Sequence, residues 1–120
     1  MLTGAAAVLS VHNLEAALAY YQASLGFKVA FRWGDPTPYA CLCRDEVQRH
    51  LAAAALTGRT PGQSQLCLFV RNVDALHAEL LGRGAPIAKP PQTYPYGMRE
   101  FDLTDPDGNR LIFGMAAQEG

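Results

Sequence analysis

Val11-His12-Asn13-Leu14-Glu15-Ala16 and, about half a chain later, Val70-Arg71-Asn72-Val73-Asp74-Ala75 carry one pattern twice. In each, an Asn is followed by an apolar residue, an acid and an alanine. Asn is a favoured helix N-cap because its side-chain oxygen accepts a backbone N–H that the first turn leaves unpaired. The acid then meets the positive end of the helix dipole. Behind Asn13, the apolar residues Leu14, Leu18, Tyr21 and Leu25 recur at steps of three and four, which marks one helical face, and Gly26 ends the helix. Behind Asn72, Val73, Leu76 and Leu80 repeat the stripe and Gly84 closes it. Cap, acid, stripe and terminal glycine recur in order, so the pattern predicts an internal duplication.

The strands duplicate with the helices. A short apolar strand precedes each helix, Ala5 to Val11 and Gln65 to Val70. Three strand-like pieces follow each one: Lys28–Trp33, Tyr39–Arg44 and Val47–Ala54, then Pro86–Lys89, Arg99–Thr104 and Asn109–Gly114. Asp105-Pro106-Asp107-Gly108 is a turn, with Pro at its second position and Gly at its fourth. Gly34-Asp35-Pro36-Thr37-Pro38 breaks the first set, and residues 55–64, rich in Gly, Pro, Ser and Thr, connect the halves. The predicted order is βαβββ over about 1–54 and βαβββ over about 65–116. That is one α+β domain over 1–120 with internal pseudo-symmetry: a curved mixed sheet forming a cup, helices on the outside. Neither half alone has material for a core.

Composition bounds the function. The chain has 120 residues, of which 49% are hydrophobic and 18% charged, enough apolar content for a packed domain. Lys and Arg number 10 against 11 acids, so no basic surplus exists to grip a phosphate backbone and no nucleic-acid partner is expected. No apolar run approaches the ~20 residues a bilayer needs, so no membrane partner is expected. The first ten residues lack a positive segment of the kind that opens a signal peptide, so a cytoplasmic location is expected.

Three cysteines, Cys41, Cys43 and Cys67, form no CxxC and predict no disulfide framework. Cys41 and Cys43 fall on one face of an extended segment, as small apolar groups of a core or a cavity wall. His12 and His77 read as solvent-facing. His50 is open between a ligand, a general base and a cavity wall. No nucleophile-and-base pairing is visible, so no catalytic residue is assigned. Gly82-Arg83-Gly84 follows a helix instead of opening one, which removes a phosphate loop. Asp105 and Asp107 look like paired carboxylates, but the turn accounts for both. The aromatic residues point to binding. Phe31 and Trp33 share one face of a strand, Tyr39 begins the next, Cys67 and Phe69 share a face with Gln65, and Tyr94 and Tyr96 flank Pro95. Trp33, Tyr39, Tyr94 and Tyr96 adjoin Gly/Pro breaks, where loops edge a cavity.

Asn13-Leu14-Glu15-Ala16, Tyr20-Tyr21, Leu25-Gly26-Phe27 and the stretch from Tyr96-Gly97-Met98-Arg99-Glu100-Phe101 through Asp105-Pro106-Asp107-Gly108-Asn109 resemble motifs of the vicinal-oxygen-chelate superfamily. That superfamily holds glyoxalase I, extradiol dioxygenases, fosfomycin-resistance enzymes and bleomycin-resistance proteins, all built on tandem βαβββ modules. The chain is most similar to the bleomycin-resistance branch, which is short and carries Arg-Glu-Phe after an aromatic-Gly pair. The resemblance places four family metal ligands on Ala6, His50, Gln65 and Ile112. Ala and Ile cannot coordinate, and a divalent site needs about three protein ligands, so no metal and no cofactor are expected. It also places crevice aromatics on Phe31, Tyr39 and Tyr96. The acidic pair that receives a cationic drug falls on Ala30 and Trp33, and a crevice Trp falls on Cys67. Stacking surface is kept and acidity is lost, which favours a flat, neutral or weakly polar ligand.

The resulting expectation is a metal-free, drug-resistance-type binding protein without catalysis. A small molecule is held by Phe31, Trp33, Tyr39, His50, Gln65, Cys67, Phe69, Tyr96, Gly97 and Arg99. His50, Gln65 and Arg99 are its polar anchors. The resemblance implies a homodimer whose crevices join the first half of one chain to the second half of the other. Two other functions stay open at this point: a metal-dependent lyase or dioxygenase with relocated ligands, and an interaction module whose cavity is filled by side chains.

Overall fold

The two asparagines do cap helices. In a computed structural model that describes residues 1–117, Asn13 Oδ1 accepts the Ala16 N–H at 3.0 Å and Asn72 Oδ1 accepts the Ala75 N–H at 3.0 Å. These caps open α1 (Leu14–Ala23) and α3 (Val73–Gly82). Around α1 lie β1 (Ala7–Val11), β2 (Lys28–Trp33), β3 (Tyr39–Arg44) and β4 (Val47–Ala53). Around α3 lie β5 (Gln65–Phe69), β6 (Gln92–Thr93), β7 (Met98–Thr104) and β8 (Arg110–Ala116). Each set makes one four-stranded mixed sheet, in the orders β1-β4-β3-β2 and β5-β8-β7-β6. In each the first strand runs parallel to the last, and the other pairs are antiparallel. The architecture is the predicted α+β duplication, and the sheets do not close into a barrel.

Two local readings are corrected. Pro86–Lys89 is not a strand. Pro90 and Pro91 lack the N–H that a ladder needs, so pairing with β7 is delayed to Gln92 and Thr93 and ends before Pro95. The connector is not all loop. The alanine run after β4 favours one helical turn, α2 (Ala54–Thr57), which Gly58 closes in the left-handed region at φ 68°.

The predicted stripe of α1 (Leu14, Leu18, Tyr21 and, just past its end, Leu25) is buried, as are Val73 and Leu80 of α3. Burying each such side chain is worth roughly 1.5–3 kcal/mol. These residues and the inward positions of both sheets merge in one apolar core, so the helix-covered faces of the two halves support each other.

The halves are fastened by a buried polar hub. Asp105 is 3% exposed and both of its oxygens are fully used. Oδ1 accepts the Asp107 and Asn109 N–H groups at 2.9 Å each, and Oδ2 accepts the Tyr21 hydroxyl at 2.7 Å and Asn109 Nδ2 at 3.2 Å. Asn109 Nδ2 also donates to the Ser10 carbonyl at 3.2 Å, and its Oδ1 accepts the Gly62 N–H at 3.1 Å. A Cβ on Gly62 would meet the Asp107 carbonyl at 2.7 Å, so the connector can lie on the turn only through glycine. Beside the hub, Arg49 is fully buried, with its guanidinium 5.6 Å from the Phe27 ring centre and no hydrogen-bond partner among the described residues. Burial lowers its pKa, opposed by the charge interactions with Tyr21 and Asp105. A second brace, Arg44, links the Leu25 carbonyl to Glu79 of α3, each at 2.7 Å.

Removing the Asp105 carboxylate strands several buried donors at once. Asp105→Ala is expected to cost about 3–5 kcal/mol in urea unfolding. Tyr21→Phe, which removes one donor and leaves the others paired, is expected to cost about 1–2 kcal/mol. Equal losses for the two variants would contradict the hub.

Candidate functional site

Each sheet has one face on the core and one face open. Register decides which side chains share a face, because strand side chains alternate and directly paired residues point the same way. In the first sheet Ala40, Leu42, Arg49 and Leu51 go to the core. Their neighbours on the open face line up as Val8, His50, Cys41 and Phe31 across four strands. Trp33 pairs with Tyr39, and Tyr39 with Ala52, in the next row. A register shift between Val29 and Phe31 turns Phe31 out to this face while Val29 packs against the core. Phe31 is 55% exposed and Trp33 56%. The Tyr39 hydroxyl and His50 Nδ1 share a hydrogen bond of 2.6 Å, with the rings edge to face. Burial, then the neighbouring Cys41, raises the Tyr39 pKa.

In the second sheet Leu66, Leu68, Phe101, Leu103, Leu111 and Phe113 face the core. The open face carries three rows: Gln65, Arg110 and Thr104; Cys67, Ile112 and Asp102; Phe69, Gly114 and Glu100. Arg110 is held by Asp102 Oδ2 at 2.7 Å and Gln65 Oε1 at 3.2 Å, and the bond to Asp102 is the main cause of its raised pKa. Phe69 is 81% exposed, with Gly114 beside it offering no side chain. Tyr96 stands at the edge, 64% exposed, stacked on Tyr94 with ring centres 5.4 Å apart. Its hydroxyl donates to Glu100, which pushes the Tyr96 pKa up to about 12. Gly97 takes φ 89° in the turn that presents the ring, a conformation that glycine adopts without strain.

The residues picked from the sequence thus fall in two groups. Phe31, Trp33, Tyr39 and His50 share the first open face. Gln65, Cys67 and Phe69 share the second, with Tyr96 and Gly97 at its margin. Arg99 joins neither and is corrected. It has the parity of Phe101 and Leu103, so it lies on the helix side of β7, with Nε 2.9 Å and Nη2 2.7 Å from the Asp74 carboxylate. His77 is also corrected: it is half-buried, edge-on to Phe101 with ring centres 5.2 Å apart. His12 is exposed as predicted. Sequence reasoning missed Glu100, Asp102 and Arg110. The alternation of Glu100 and Asp102 against buried Phe101 and Leu103 was the signal that could have found them.

The four positions that the resemblance assigned to a metal offer donors only at His50 and Gln65. Among the described residues, no group of three or more His, Cys, Asp or Glu side chains is placed to hold an ion. This donor set does not fit a divalent metal centre. No helix among the described residues is long and apolar enough to cross a membrane.

The family model for the Glyoxalase/Bleomycin resistance protein/Dioxygenase superfamily matches residues 5–113. No curated protein sequence matches the chain. Among solved structures, a member of that superfamily from Sphaerobacter thermophilus is similar, with 27% identity, a TM-score of 0.79, and coverage of 96% of this chain and 98% of that one. The bleomycin-binding protein of bleomycin-producing Streptomyces verticillus, solved with copper(II)-bleomycin, is 27% identical with a TM-score of 0.77, covering 99% of this chain and 98% of that one. A glyoxalase/bleomycin resistance protein from Catenulispora acidiphila is 28% identical with a TM-score of 0.75, covering 93% and 96% of the two chains.

The position of Arg99 has a testable consequence. Its bond lowers the Asp74 pKa, so the pair stabilises the fold above the ordinary carboxylate range and ceases to do so as pH falls through the depressed value. The stability difference between wild type and Arg99→Ala should therefore be constant near neutrality and close in acid, read from thermal melts across pH. A difference that persists below both values, or a loss of ligand affinity at unchanged stability, would return Arg99 to the binding face.

Proposed function

We propose, from the premise that this chain belongs to the glyoxalase/bleomycin resistance protein/dioxygenase superfamily, that it is a metal-free, cytoplasmic binding protein that sequesters a planar aromatic small molecule. The observation that carries this reading is the pair of open sheet faces bearing exposed rings: Phe31 and Trp33 on one, Phe69 and Tyr96 on the other. Exposed aromatic surface of this kind marks a binding site or an interface. Here it serves as both. Two copies related by a twofold axis set the first face of one against the second face of the other, which yields two equivalent crevices. Each has aromatic walls, with the His50–Tyr39 pair on one side and Gln65, Arg110 and Glu100 on the other.

Capture needs no reacting group, only shape, stacking and a few polar anchors. The bleomycin-binding relative supports a drug-sequestering role of the antibiotic-resistance type. The ligand class differs. Ala30 and Trp33 stand where the resemblance places acidic residues, so a flat, neutral or weakly polar molecule suits this chain better than a strongly cationic one.

Trp33 is the only tryptophan, so a planar aromatic probe such as acridine should quench or shift its fluorescence. Stacking adds about 0.5–1.5 kcal/mol per aromatic pair. Tyr96→Ala should therefore weaken binding about tenfold and leave the thermal melt nearly unchanged. A variant that melts early and binds as tightly per folded molecule would make Tyr96 a structural residue and overturn its place in the crevice.

A further inference from the structure

We infer that the groove between the β3–β4 turn and the start of α3 is a second binding site, meeting the open sheet faces only at Phe69, for an apolar molecule carrying a carboxylate. The argument comes from the duplication itself. Counted from the caps Asn13 and Asn72, Ser10 corresponds to Phe69, His12 to Arg71 and Tyr21 to Leu80. In the first half these positions receive the turn at 105–109. The Ser10 carbonyl accepts Asn109, the Tyr21 hydroxyl reaches Asp105, and the His12 N–H donates to the Asp107 carboxylate at 2.8 Å. In the second half the facing turn is only Asp45-Glu46, because Arg44 pairs directly with Val47. The shorter turn leaves its counterpart of the hub unfilled. What remains is a groove of about 650 Å³, within the size range of small-molecule sites.

The lining defines the ligand. Phe27, Val47, Leu76 and Leu80 line it with apolar surface. Arg44 and Glu79 at the rim are bound to each other at 2.7 Å. Arg71 stands at the start of α3 with its guanidinium in no ion pair among the described residues. It occupies the position whose backbone N–H, in the other half, holds a carboxylate. Asp45 and Glu46 on the opposite rim repel an anion, so the acid group goes to Arg71 and the apolar body runs toward Leu76 and Leu80. The site needs no second copy, and Phe69 at its edge is the one crevice residue that also lines it.

The test is a titration of the full chain, followed by backbone amide NMR, with naphthoate and, separately, naphthylmethylammonium. Naphthoate should shift the amides of Arg71, Leu76 and Leu80 saturably, and the cationic analogue should bind about ten times more weakly. Arg71→Glu, an exposed substitution, should weaken naphthoate about tenfold, and Ala75→Phe should fill the groove and abolish binding. A thermal melt checks that each variant is folded; if Ala75→Phe is not, Arg71→Glu alone decides. No shift at these amides, equal affinity for the two probes, indifference to Arg71→Glu, or shifts confined to Phe31, Trp33 and Tyr96 would each overturn the inference.

Discussion

Asp105 fixes the geometry on which everything else depends. A carboxylate removed from water is tolerated only when its lone pairs are filled, and here the donors come from both halves of the chain: Tyr21 from the first, Asn109 and Asp107 from its own turn. Satisfying it pulls α1 and the end of β1 onto the second-half turn. That contact fuses the helix-covered faces into one core. The faces without helices are then directed outward. The open aromatic surfaces are thus a consequence of how the halves are tied.

The two faces differ in chemistry as well as position. The first carries aromatic rings, thiols and one imidazole, whose Nδ1 is already committed to Tyr39. The second carries charge, but Arg110 is neutralised by Asp102, and Glu100 is occupied by the Tyr96 phenol. Joined, they would give a crevice with stacking walls and an internally balanced polar floor. Such a surface would select shape and flatness more than net charge. Among the described residues, no three or more His, Cys, Asp or Glu side chains are grouped to hold an ion.

Much of this was legible in the sequence because it is local. The caps Asn13 and Asn72, the stripe of α1 and the parity of Phe31 with Trp33 or Gln65 with Phe69 need only a few neighbouring residues to read. What failed was long-range or in conflict with a local signal. Arg99 drew attention as part of a motif, yet its parity with Phe101 sends it to the helix side. Pro86–Lys89 looked extended, but the prolines after it displaced the pairing. The turn accounts for Asp105 in the sequence, and the backbone of that turn does use one of its oxygens. The Tyr21 hydroxyl on the other lies 84 residues away and leaves no pattern. Arg49 reads as a surface residue from its type alone, and only the fold shows it buried on Phe27.

The proposed crevice requires two copies of this chain to close their open faces around one kind of small molecule. Native mass spectrometry of protein isolated from its own host tests it most directly, since it reports assembly and bound compound together. The expected result is a dimer whose mass exceeds that of two chains by one or two molecules of an aromatic compound, released when the dimer is dissociated. A monomer without added mass, at concentrations where the fold is intact, would contradict it.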